Sequence, residues 1–206
     1  MIGAKSPPRI GAVVLAAGAS TRMGSPKQLI VHEGEPLVRR VAVAAVDAGA
    51  SPVVVVLGAN AAMIAPALSG IASVRTVVNP EWSKGLASSL AAGLSALFEH
   101  ASCDGVLVTL ADQPLVDAAA LRRLLAAFDD KRRIVASAYN NTVGVPAVFA
   151  REHVDDLLRL TGDAGAGSWL RSRSNEVTRI PLDVAALDID TPSDAARLAS
   201  TFLDRG

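Results

Sequence analysis

Residues 10–29 read Ile10-Gly-Ala-Val-Val-Leu15-Ala-Ala-Gly18-Ala-Ser-Thr-Arg22-Met-Gly24-Ser-Pro-Lys27-Gln-Leu29. The first seven positions are an apolar run without polar alternation, which predicts a strand buried on both faces, as in the middle of a parallel sheet. Small residues follow at once, Ala16, Ala17, Gly18 and Ala19, and they leave space for a ligand to approach the backbone. Gly24 allows a second tight bend. Backbone N–H groups unscreened by side chains can face an anion as a nest. Arg22 and Lys27 then add a planar fork and a point charge. The stretch predicts a phosphate-binding loop at the carboxyl end of the first strand; a surface turn with two solvated cations is the plainer alternative. It is neither of two familiar loops. Lys27 follows Pro26 and precedes Gln28, which excludes a P-loop, and Gly18-Ala19-Ser20 departs from the Gly-x-Gly of the dinucleotide fingerprint.

Outward from this stretch, β-branched runs alternate with Ala/Leu segments at helical spacing. Residues 36–48 read as a helix stopped by Gly49, and residues 52–57 as a second strand. Asn60 is placed to cap a helix running towards Leu68. Residues 74–78 form a third strand, and Leu86, Leu90, Leu94 and Leu97 stripe a helix with Leu86 and Leu90 in the core. Residues 105–110 read as a strand and 117–128 as a helix. Strands follow at 134–138 and 147–149, helices at 152–160 and 168–173, and short strands at 177–180 and 187–189. Thr191-Pro192 opens the last helix. This order predicts a three-layer αβα sandwich, a mostly parallel Rossmann-like sheet with helices on both faces, in one domain spanning residues 10–206. Residues 1–9 are expected to be a flexible tail without a secretory leader.

Composition narrows the partners. The chain has 206 residues, half of them hydrophobic and 3% aromatic, and its 20 basic residues balance 20 acidic ones. A neutral chain has no broad field for nucleic acid or an anionic membrane, so a polyanion has to be met locally. One cysteine, Cys103, precludes an internal disulfide and suits a reducing, cytoplasmic setting. His32, His100 and His153 are scattered and are assigned to the surface.

Ligands of such sheets bind beyond the carboxyl ends of the strands. Asp112, in Leu110-Ala-Asp-Gln-Pro114, stands at such an end. Magnesium prefers one or two carboxylates plus phosphate oxygens and water, so Asp112 is a metal candidate; a turn-forming Asp beside a Pro also fits. Asp188 and Asp190, in Leu187-Asp-Ile-Asp-Thr-Pro192, lie on one side of an extended chain, although Asp190 or Thr191 equally suits an N-cap. Between residues 79 and 89, Asn79, Gly85, Ser88 and Ser89 gather small polar groups around a helix N-terminus.

These motifs resemble the nucleotidyltransferase superfamily that includes the molybdenum cofactor guanylyl- and cytidylyltransferases. That family opens with Leu-Ala-(Ala/Gly)-Gly, a short stretch, then Arg-Met-Gly and a lysine, and the resemblance runs from Ile10 to the last helix. It implies that Leu15, Ala16, Ala17 and Gly18 wrap a triphosphate and that Arg22 and Lys27 contact its phosphates. It implies that Asp112 anchors Mg2+, with Asp190 preferred over Asp188 as the second acid. Gly85, Ser89 and Asn79 would approach base and ribose. Gly144, Pro146, Gly162 and Asp163 match the acceptor side, where relatives often carry a polar residue at Val145 and an arginine at Gly167.

Ala17 and the Leu-Ala-Asp-Gln-Pro string are similar to the cytidylyl branch. The implied reaction joins CTP to molybdenum-bound molybdopterin with release of pyrophosphate, with a molybdoenzyme or its maturation chaperone as partner. An acceptor phosphate is already an oxyanion, which accounts for the lack of a nucleophilic Ser/His or Cys/His set. Transfer to a sugar or polyol phosphate, a GTP-using guanylyl transfer, and a non-catalytic nucleotide or cofactor carrier are the alternatives.

Overall fold

The computed structural model describes residues 6–203, with side chains described to Ala199. Of the expected tail, residues 1–5 lie outside the described residues. Its last residue, Arg9, is fastened, because its N–H donates to Asp104 Oδ2 at 2.7 Å.

The strands are β1 (Ile10–Ala16), the short pair β2 (Val31–His32) and β3 (Glu35–Pro36), β4 (Val53–Leu57), β5 (Val74–Val78), β6 (Gly105–Leu110), β7 (Ile134–Tyr139), β8 (Thr142–Ala150) and β9 (Thr178–Pro181). The helices are α1 (Leu37–Asp47), α2 (Ala61–Ile64), α3 (Leu86–His100), α4 (Ala118–Ala127), α5 (Val154–Leu158), α6 (Ala166–Ser172) and α7 (Pro192–Leu203). Seven strands form one sheet in the order β5-β4-β1-β6-β8-β7-β9. The pairs β1–β4, β1–β6, β4–β5 and β7–β9 are parallel, whereas β8 runs antiparallel to β6 and β7. The sheet is therefore mostly parallel, as expected.

Every residue of β1 is buried, and its alternate side chains feed opposite layers. Ala12, Val14 and Ala16 pack with Val41 and Ala45 of α1 and with Leu121 and Leu124 of α4. Val13 and Leu15 pack with Leu90 and Leu94 of α3, Leu157 of α5 and Leu170 of α6. Register then aligns the ends of the central strands: Ala16 lies beside Leu57, and Leu15 beside Leu110. The segments that leave β1, β4 and β6 thus open on the same edge of the sheet.

Several expectations need correction. The helix towards Leu68 is split into α2 and a 3-10 turn at Ala65–Leu68, because Pro66 cannot supply the N–H that an α-helix needs. Asn60 makes no side-chain cap. Residues 187–189 form no strand; Ile189 N–H instead donates to Asp112 O at 2.9 Å. The strand expected at 147–149 runs from Thr142, so β7 and β8 form a hairpin closed by Asn140 and Asn141, both at positive φ as a two-residue hairpin turn demands. Leu86 is 40% exposed rather than core. His32 is buried, and His153 packs on Trp169 with ring centroids 5.5 Å apart, so neither is a plain surface histidine.

Candidate nucleotide and metal site

The loop after β1 is braced by a residue that sequence reading passed over. Gln28 is 2% exposed, and its Nε2 donates to Ala16 O at 2.9 Å and Gly18 O at 2.8 Å. Its Oε1 accepts from Ser20 Oγ at 3.1 Å, and Ser20 Oγ accepts from Lys27 N–H. One buried amide thus ties both ends of the loop together. This places Lys27, on the 3-10 turn Lys27–Leu29, against the end of β6.

Lys27 Nζ lies 2.6 Å from Asp112 Oδ2 and 2.7 Å from Asp190 Oδ1. Burial pulls the ammonium pKa down, but the two carboxylates outweigh that pull, and the net shift is upward. Asp190 is held below its ordinary value, first by the hydrogen bond from Lys27. Arg22 is farther out, 70% exposed, and approaches Asp190 at 3.7 Å. The second oxygen of Asp112, Oδ1, is buried without a hydrogen-bond partner. Asp188 retains solvent contact as a residue, yet its carboxyl is pushed up to about 6, by desolvation first and by the charge of Asp112 second. Carboxylates close enough to couple in this way favour a cation between them.

The C-terminal acids are brought here from more than 70 residues away. Gln113 Nε2 donates to Ala185 O at 2.9 Å and to Val145 O at 3.2 Å, tying residue 185 and β8 to the loop after β6. The N-cap alternative for Asp190 is met by other residues. Thr191 Oγ1 accepts from Asp194 N–H, and Asp194 Oδ2 accepts from Thr191 N–H at 2.9 Å, a reciprocal capping box for α7. Asp188 and Asp190 are thereby left to the site.

A cavity runs from this cluster along the braced loop. Leu15, Ala16, Ala17, Gly18, Lys27, Gly85, Ser89 and Asp112, all expected nucleotide contacts, line it together, and Trp82 and Leu86 complete one wall. Gly85 sits at φ +106, and a Cβ there would overlap the carbonyl of Gly162. That carbonyl accepts from Ala87 N–H at 3.0 Å and so docks residues 160–165 on the start of α3.

Two expected contacts fall elsewhere. Asn79 is 4% exposed and is not part of the cavity lining. Its Nδ2 donates to Ser88 and Ser89 Oγ, and its Oδ1 accepts from Glu81 N–H, so it sets the serines rather than meeting a ligand. Arg22 stands outside the lining, on the rim.

A second cavity adjoins the first and shares Leu15, Leu86, Leu110 and Asp163 with it. Its remaining wall includes Tyr139, Gly144, Gly167 and Arg171. Of the expected acceptor contacts, Gly144 and Asp163 line this space. Pro146 does not: it is buried in β8, with its carbonyl taken by Ser137 Oγ at 2.7 Å. Gly162 serves the α3 junction instead. Tyr139 and Arg171 escaped sequence reading, the first as the chain's one tyrosine, in a strand end, the second as one of the chain's many arginines, on a short helix.

Among the described residues no group of three or more His, Cys, Asp or Glu side chains could hold a metal ion alone. Two acids that leave coordination positions for phosphate oxygens and water match magnesium's preference. An α/β sheet with a small-residue loop, a half-buried lysine and acids at one edge fits the class of nucleotidyltransferases. Residues 12–177 match the MobA-like NTP transferase domain, and the chain belongs to that family.

Relatives span nearly the whole molecule. The chain is 35% identical over 203 residues to nicotine blue oxidoreductase of Paenarthrobacter nicotinovorans, covering 93% of this chain and 97% of that one. It is similar to the crystal structure of Rv0371c from Mycobacterium tuberculosis H37Rv in complex with manganese, at a TM-score of 0.73 and 30% identity over 94% of this chain and 99% of that one. A nucleotidyl transferase from Methanothermobacter thermautotroptrophicus (Mth528) superposes at a TM-score of 0.80, with 27% identity over 96% of this chain and 99% of that one.

Proposed function

We propose that the protein transfers a cytidylyl group from CTP to the phosphate of molybdenum-bound molybdopterin, with Mg2+, releasing pyrophosphate. The observation that carries the reading is the buried, unpartnered Oδ1 of Asp112 at the head of a cavity lined by a braced small-residue loop and Lys27. In this reading Asp112 and Asp188 would hold the metal. Asp190, preferred in the sequence, instead tethers Lys27 and Arg22. When bound, the metal supplies charge neutralisation at the phosphates. The chain's own residues do the rest. Ala16, Ala17 and Gly18 let the triphosphate approach the backbone, and Lys27 exchanges a carboxylate for a phosphate oxygen. An acceptor phosphate oxygen forms a bond to the α-phosphorus as the bond to pyrophosphate breaks. Positioning and neutralisation carry most of the catalysis in phosphoryl transfer, and nucleotidyl transfer follows the same logic. A buried, reduced Cys103 and a chain without a helix long and apolar enough to cross a membrane, among the described residues, suit a cytoplasmic enzyme.

The name of one relative favours a second reading, hydride transfer from a nicotinamide dinucleotide bound in the same cavity. Hydride transfer requires no metal-anchoring acid, and the Asp112–Asp188 pair favours the nucleotidyl reading. The test incubates the protein with Mg2+, molybdenum-bound molybdopterin and each of CTP, GTP, ATP and UTP, and measures pyrophosphate; parallel incubations replace the acceptor with a sugar or polyol phosphate, or supply a reduced nicotinamide dinucleotide with a quinoid dye as hydride acceptor. Release with CTP is expected. Release with GTP assigns the guanylyl branch, and release only with sugar or polyol phosphates moves the acceptor. Nucleotide binding without pyrophosphate marks a carrier, and oxidation of a reduced nicotinamide without pyrophosphate marks the hydride reading.

A further inference from the structure

We propose that Arg171 is the anchor for the acceptor's phosphate, in the cavity beside the nucleotide pocket. This rests on the nucleotidyl-transfer reading. The cavity shares Leu15, Leu86, Leu110 and Asp163 with the nucleotide pocket, so a group held in it adjoins the triphosphate.

Arg171 differs from the other cations around it. Arg159 and Arg173 each bond Asp156, at 3.0 and 2.9 Å, and the Arg173 guanidinium also lies over the Trp169 ring. Arg151 and Arg133 face Asp155 and Glu152. Among the described residues, the Arg171 side chain forms no hydrogen bond or ion pair, and it lines the cavity. Its headgroup has room there because residue 167 lacks a side chain: a Cβ at Gly167 would stand 3.3 Å from Arg171 Nη1.

The opposite wall is cleared in a similar way. A Cβ at Gly144 would overlap the Tyr139 hydroxyl, so the absence of one lets the phenol lie across β8, donating to Val145 O at 3.3 Å. The phenol pKa is raised, by burial first and then by Asp188, while Arg171 opposes the shift. Tyr139 therefore feels both the cation and Asp188, and Tyr139 and Arg171 both line the cavity. Asp163 is the acid on the shared wall, so an anion entering this space is directed to the Arg171 end. A planar guanidinium meets a phosphate through two parallel hydrogen bonds, and a phosphomonoester is doubly charged for much of the time at neutral pH.

The test uses the full chain as wild type, Arg171→Ala and Arg171→Lys, titrated with phenyl phosphate by calorimetry and followed by amide chemical shifts. Saturable binding with shifts at Gly144 and Gly167 is expected in the wild type. Arg171→Ala should weaken it roughly ten- to a hundredfold, as loss of a charge-assisted pair does, and Arg171→Lys should restore part of the loss. CTP with Mg2+ should stabilise all three proteins alike. Equal phenyl phosphate binding by Arg171→Ala, or shifts confined to other regions, would overturn the assignment. Phenyl phosphate binding that depends on Arg171, with no nucleotide stabilising any of the three, would keep the anchor and remove the nucleotidyl reading.

Discussion

Lys27 is the cation on which the site's charges converge. Its ammonium stands between Asp112 and Asp190, so it balances the acids until a triphosphate competes for it. Lys27→Ala should therefore have effects of opposite sign. Triphosphate affinity should fall roughly ten- to a hundredfold, the usual range for a charged hydrogen bond, while Mn2+ added alone should bind more tightly because the acids have lost their counter-ion; calorimetry reads both. Asp112→Asn should cost about 10²–10³ in turnover, by analogy with the loss of one preorganised electrostatic group. Its melting temperature without nucleotide should stay near the wild-type value, because Asp112 lies in a loop beyond the strand.

Asp188 predicts a pH effect. Its native carboxyl titrates at about 6 against an ordinary 3.8. Between those values the folded chain binds a proton that the unfolded chain has released. This group's contribution to the stability of the metal-free protein is thus present at low pH and lost as pH rises through about 4 to 6. Asp188→Asn should flatten that part of the profile and raise the denaturant midpoint at pH 7 relative to wild type. An unchanged profile from urea melts across this range would contradict the raised pKa of Asp188.

At the scale of elements, the junction of α3 with residues 160–165 depends on Gly85. A side chain there meets two obstacles, a left-handed backbone and the Gly162 carbonyl. Gly85→Ala should cost about 1–3 kcal/mol from backbone strain alone, with more from the overlap. A lower urea midpoint and faster hydrogen exchange at the Ala87 amide would report it. Much of this scale was legible beforehand, because strands and helices declare themselves by period. The buried run of β1 and the leucine stripe of α3 are local patterns. The β7–β8 hairpin was not read from its Asn140-Asn141 turn, and the helix after Asn60 was overextended past Pro66. Residues 187–189 look like a strand in isolation, but their backbone is recruited by Asp112 instead.

For the whole molecule, the order of strands matters more than any one strand. With β1 between β4 and β6, and β8 reversed beside β6, residues 17–28, 111–116 and 144–145 reach one edge. A ligand that binds this edge binds only the folded chain, and mass action converts affinity into stability. CTP with Mg2+ at about a hundred times its dissociation constant should add roughly 2.7 kcal/mol. A thermal-shift panel should show a larger rise for CTP than for GTP, ATP or UTP, and a much smaller rise without the metal. Equal shifts for all four nucleotides would remove base selection from the reading.

Sequence alone was enough for the layered sheet, the small-residue loop with Lys27, and Asp112 at a strand end, because each is written in consecutive residues or in a short period. Only the folded chain decided that Asn79 positions the serines, that Asp194 and Thr191 cap α7 and leave Asp188 and Asp190 to the site, and that Arg171 opens into the second cavity. Those roles depend on side chains that converge from distant segments, held there by Gln28 and Gln113. The partners such side chains meet are set by how the elements pack, and no local spacing encodes that.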